Sequence, residues 1–170
     1  MTNYIEDATG LEAFKSLTFL KWQYFKGSSI DLSSLTNLEK IWVHSFSDNV
    51  TGDSPTLESI TFPVTNVLNE INVKDNILNS IDVSFLDNLE HLEVQGHSPT
   101  ILSNLNSIDV TSNIKLKHLN AGRNKINNLN VLNNIHLETL LLMDNKIKYL
   151  DVLKIENLQY FTIKHPHFAG

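Results

Sequence analysis

His91, Glu93 and His118 are the residues of this chain whose types could hold a divalent metal, because two imidazoles and a carboxylate together are donors that zinc accepts. Glu93 and His118 lie 25 residues apart, so the register of the fold must bring them together. A second set of candidate ligands, Asp31, Asp82, Asp109 and Asp151, invites calcium, which takes oxygen donors. Each of these aspartates stands alone in a stretch rich in Ser, Thr and Asn, where a carboxylate more readily accepts backbone N–H groups. The absence of cysteine removes disulfides, thiolate catalysis and Cys-ligated zinc. There is no nucleophile elbow, P-loop or HExxH, so the chain reads as a protein that is not an enzyme. Histidines on an exposed sheet are ordinarily solvated polar groups, and spacing alone shows no second shell around the trio. The sequence reading therefore assigns no metal and no other cofactor.

The elements that would position these residues emerge from a repeat. LKHLNAGRNKINNLNV from Leu116 and LETLLLMDNKIKYLDV from Leu137 align without a gap as L-x-x-L-x-(A/L)-x-x-N-K-I-x-x-L-x-V, with a period of 21 residues. Further copies begin at Leu17, Leu38, Leu68, Leu89 and Leu158, so the seven leucine anchors are spaced 21, 30, 21, 27, 21 and 21. A second motif of isoleucine or leucine, any residue and an apolar residue begins at positions 30, 60, 81, 108, 129 and 150, and ends six residues before the next anchor. Within L-x-x-L-x-L, alternation predicts a short strand with Leu119 and Ala121, or Leu140 and Leu142, facing inward. One such coil cannot bury its own apolar face, and stacking seven makes a continuous core.

This pattern resembles the leucine-rich repeat proteins, specifically the short bacterial repeats of the internalin-like class and related surface proteins, over residues 5 to 168. The resemblance implies a mostly β repeat solenoid of α/β type, right-handed, with a seven-stranded parallel concave sheet and short irregular or extended convex segments. It implies that Asn76, Asn124 and Asn145 form an asparagine ladder, interrupted at Phe25, Phe46, His97 and Pro166. Residues 1–16 resemble an N-terminal capping half-repeat, with a short helix expected over Ala8 to Ser16, ahead of a leucine-rich repeat domain over 17–170. The whole forms a single domain, as 170 residues suit.

Two of the spacings are long because extra residues enter after the strand, at 44–59 and 97–107, and both insertions contain Ser-Pro-Thr. Insertions on one side of a solenoid mark a candidate binding edge. The outward strand positions supply the other candidate surface: Phe19 and Lys21; Lys40, Trp42 and His44; Glu70, Asn72 and Lys74; His91 and Glu93; His118 and Asn120; Leu141 and Met143; Tyr160 and Lys164. Trp42 is the most prominent, since an outward tryptophan beside Phe19, Lys40 and His44 is the amphipathic anchor that interfaces favour. Leu141, Met143 and Tyr160 make a second apolar patch.

A net charge of −6 argues against a nucleic-acid partner, which needs a basic surface. No apolar run is long enough to cross a membrane, and MTNYIEDATGLEAF has neither the basic nor the apolar region of an export signal. The chain as it stands thus reads as cytoplasmic, and as extracellular or cell-surface if a leader has been removed. The leading expectation is a protein-binding recognition module using the concave face and the insertion edge. Alternatives are a cytoplasmic inhibitor or immunity-type binder and a carbohydrate-binding surface module with Trp42, Phe19 and Tyr160 as stacking platforms and Asn72 and Asn120 as hydrogen-bonders. A bare final strand also suggests dimerisation through the C-terminal edge.

Overall fold

The computed structural model describes residues 6–45, 55–97 and 104–163. Most of both insertions, together with Phe46, Lys164 and Pro166, lies outside these residues. Seven strands, β1 (Phe19–Gln23), β3 (Lys40–His44), β5 (Glu70–Asn72), β6 (His91–Glu93), β7 (His118–Asn120), β8 (Thr139–Leu141) and β9 (Tyr160–Thr162), pair in that order into one parallel sheet. Across it the inward residues three places after the anchors keep register: Leu20 faces Ile41, Ile41 faces Ile71, Leu92 faces Leu119, and Leu119 faces Leu140. On the opposite side β2 (Ser29–Asp31) pairs in parallel with β4 (Ser59–Thr61), through the Ile30–Asp31 and Ile60–Thr61 pairs of the second motif. This is a leucine-rich-repeat β-solenoid with a seven-stranded concave sheet.

Alternation works as the pattern requires. The inward residues Ile41, Ile71, Leu92, Leu119 and Leu140 are fully buried in a core that runs through the stack. Counted back eleven positions from each following anchor, Leu57, Leu78, Leu105, Ile126 and Ile147 also enter this core. Leu57 and Leu105 close the two long coils, so the extra residues are absorbed before these points and the register of the stack is restored. The first coil has Gly27 at that place. A Cβ there would meet the Phe25 ring at 2.4 Å and the Glu6 carbonyl at 2.4 Å. Phe25 is fully buried and packs edge-on against Trp22 at 4.9 Å, so its ring fills the space that a leucine fills in later coils.

The chain leaves each regular strand through one left-handed residue: Tyr24, Asp75, Arg123 and Asp144, with φ between 55° and 62°. All four stand seven residues after a leucine anchor. Among the described residues, the equivalent Ser45 and Gly96 are not left-handed, and these begin the two coils that carry insertions. The residue that follows the turn is Phe25, Asn76, Asn124 or Asn145. Asn145 Nδ2 donates to the Ala121 and Leu142 carbonyls, at 2.8 and 3.2 Å, and its Oδ1 accepts the Ile126 N–H at 3.0 Å. Asn124 reaches Val94 and Ala121, and Asn76 reaches Val43 and Val73, in the same way. Each amide thus joins its own coil to the preceding one and satisfies backbone groups that burial would leave unpaired.

Two features went unread in the sequence. Asn113 and Asn134, both fully buried, form a second asparagine bridge on the convex side: Asn113 donates to Val83 and Leu86 carbonyls, Asn134 to Val110 and Asn113. Their signal is the period-three return (D/N)-V-x-x-N-x-x-L, whose steps form successive tight turns such as Asn113 N–H to Val110 O and Leu116 N–H to Asn113 O. Asn37, Asn88 and Asn133 make a third, exposed set, donating to the Lys15, Asn66 and Thr111 carbonyls of the coil before. The expected helix over Ala8 to Ser16 reduces to one 3-10 turn at Leu11–Ala13, opened by left-handed Gly10 at φ 99°. Bonds from residue i+3 to i, Phe14 to Leu11 and Leu17 to Phe14, keep this stretch a chain of turns.

Candidate functional site: the concave sheet

Outward residues of a parallel sheet stand in rows across adjacent strands, close enough for side chains to meet. At the N-terminal end Trp42 sits in such a contact set. Phe19 meets its ring edge-on at 5.3 Å, Lys21 Nζ lies 5.3 Å from its centroid, and its indole N–H donates to Glu70 Oε1 at 2.7 Å. The other Glu70 oxygen accepts Lys40 Nζ at 2.8 Å. Burial alone would raise the Glu70 carboxyl, but the hydrogen bonds from Lys40 and Trp42 hold it below its ordinary value. Beside this set His44 Nε2 and Asn72 Oδ1 are 2.9 Å apart, and burial pushes the His44 ring below its usual value. Trp42 is therefore outward yet half-covered, while Phe19 stays exposed.

In the centre, the trio comes together. His118 Nε2 is 2.8 Å and His91 Nε2 3.9 Å from the same oxygen, Glu93 Oε1, and the imidazoles stack at 4.0 Å with their planes 3° apart. Burial, and then neighbouring His118, push His91 below its ordinary value. Burial would raise Glu93, but the His118 hydrogen bond and then its charge, with Asn120, hold it low. Asn120 faces outward as the register requires, but is only 7% exposed. Its amide donates to Glu93 Oε2 and Gln95 Oε1, each at 3.0 Å, and its oxygen accepts the Gly122 N–H. Asn120 is thus a supporting residue and is not free to meet a ligand, which the strand pattern could not reveal. Lys74 lies near Glu93, whose carboxyl its charge also lowers.

At the C-terminal end Leu141 is half-buried, while Met143 and Tyr160 are exposed. Leu141 and Met143, with Gly122 and Thr162, line a shallow depression of about 150 Å³. The convex aspartates are positioned quite differently. Asp31, Asp82, Asp109 and Asp151 each accept the backbone N–H two residues on, at 2.9 to 3.0 Å, and Asn130 does the same for Leu132. Bonds from Ser33 and Thr111 lower the Asp31 and Asp109 carboxyls. These groups close turns one per coil and do not converge on a common point.

No protein-family model matches this chain, and no curated protein does. Among solved structures it is similar to the functional domain of InlJ from Listeria monocytogenes, with a TM-score of 0.64 and 26% identity over 94% of this chain. The fold is internalin-like. The match spans 37% of the InlJ chain. That domain is described as including a cysteine ladder, whereas the internalin-like solenoid here has no cysteine and stacks asparagines at its strand exits. Among the described residues no helix is long and apolar enough to cross a membrane.

Proposed function

We propose that this internalin-like solenoid is a non-enzymatic protein-binding module whose partner lies along the concave sheet, reaching the edge that bears the 44–59 and 97–107 insertions. The observation that carries this is the interlocked outer face. Trp42, Phe19, Lys21, Glu70 and Lys40 hold one another in place before any partner arrives, so little side-chain entropy remains to be lost on binding. Exposed apolar side chains flank this face at both ends, Phe19 on β1 and Met143 and Tyr160 beyond and on the last strands. A rigid aromatic anchor within a polar rim is the arrangement that protein interfaces concentrate energy in. A sugar reading fits less well, because Asn72 Oδ1 is engaged by His44 and the Asn120 amide is consumed internally. The test is a pulldown from the source organism comparing wild type with a Trp42→Ala/Tyr160→Ala double variant. Loss of a specific partner in the variant supports the concave face, and identical recovery overturns it.

A further inference from the structure

The geometry points to a divalent transition-metal site of the zinc class on the concave sheet, formed by His91 Nε2, Glu93 Oε1 and His118 Nε2. It does not depend on the protein-binding proposal. These three ligand atoms, drawn from two adjacent strands, lie within 4.8 Å of one another. An ion bonded at 2.0–2.2 Å to tetrahedral ligands holds them about 3.3 Å apart. The two nitrogen-to-oxygen separations, 2.8 and 3.9 Å, straddle that value, so side-chain rotation suffices to close the site. Both imidazoles already offer the same nitrogen to the same oxygen. The rings are now parallel, and a metal cannot lie in both planes at a 4.0 Å stacking distance, so closing about the ion tilts them toward each other.

A second shell is in place. Asn120, nearly fully buried, donates to Glu93 Oε2 and leaves Oε1 facing the histidines, the kind of support that orients a ligating carboxylate. Glu70, which stands opposite His91 on β5, is not a fourth ligand, since Trp42 and Lys40 take its two oxygens. Three protein ligands with a solvent position open on the concave face describe an unclosed site. Two nitrogens and one oxygen select Zn²⁺, Co²⁺ or Ni²⁺ over Mg²⁺ and Ca²⁺, which prefer all-oxygen shells.

The test uses the whole chain, titrated calorimetrically with zinc chloride in a non-chelating buffer. Wild type should bind one equivalent. His91→Gln and His118→Gln should each weaken binding about tenfold or more, while His165→Gln/His167→Gln, outside the described residues, should leave it unchanged. Nitrogen-15 spectra of wild-type imidazoles give a readout that needs no variant to fold: zinc should shift His91 and His118 selectively. No saturable binding, binding that tracks His165 and His167, or shifts on other imidazoles would overturn the site.

Discussion

Trp42 combines two roles on one side chain, because its ring forms part of the outer surface while its N–H holds Glu70. Removing it leaves Glu70 with Lys40 as a partner and opens no interior cavity, so Trp42→Ala should cost about 1 to 2 kcal/mol. Leu140→Ala empties a fully buried position and should cost about 2 to 5 kcal/mol. Urea unfolding compares the two, and equal losses would place the Trp42 ring in the core. His44 adds a pH dependence. Burial is the main cause of its lowered value; Lys74 and Lys21 push the same way, against Asn72 and Asp75. In the unfolded chain the ring titrates at its ordinary 6.5, so below that pH the unfolded state takes up a proton that the folded state refuses. Stability therefore falls as pH drops through 6.5, and this loss levels off below the folded value. His44→Gln keeps a donor for Asn72 and should narrow the difference in urea stability between about pH 7.5 and about pH 5.5. An unchanged gap would assign the pH effect to other groups. The repeat register alone placed Trp42 and His44 outward, but their partners depend on rotamers, which spacing does not encode.

The strand exit is where element geometry was most legible and also most incomplete. The N-K-I triplets announced a turn, and the asparagine bridges around Asn124 and Asn145 occupy it. The left-handed residue one step earlier carried no such signature, since Tyr24, Asp75, Arg123 and Asp144 share a backbone angle while only two of the four share a side chain. The convex bridge through Asn113 and Asn134 was missed for a related reason: Leu35, Leu86 and Ile155 occupy the same place in other coils, so the pattern looks simply apolar. Asp144, at φ 57°, gives a direct check on the exit geometry. A β-branched side chain is strained there, so Asp144→Val should lose about 1 to 2 kcal/mol, whereas Asp144→Gly should stay close to wild type. Equal thermal melts for the two variants would mean that the left-handed turn is absent in solution.

Across the whole molecule, each coil is stabilised by its neighbours, and position along the stack should decide what a core deletion does. Leu119 lies between β6 and β8 and is fully buried, whereas among the described residues Phe161 of β9 pairs with β8 alone and is 43% exposed. In a nearest-neighbour stack a central loss weakens two interfaces and a terminal loss one. Leu119→Ala should therefore cost about 2 to 5 kcal/mol and accelerate native-state hydrogen exchange throughout the sheet. Phe161→Ala should cost less and accelerate exchange mainly at the last interface, as at Leu142 N–H, which donates to the Thr162 carbonyl. Amides of the first coils, such as Glu39 N–H bonded to the Thr18 carbonyl, should keep their protection in that variant. If both substitutions raise exchange uniformly, the solenoid unfolds as one cooperative unit, and the continuous core joining Leu20 to Ile155 outweighs the coil-by-coil organisation written into the repeat.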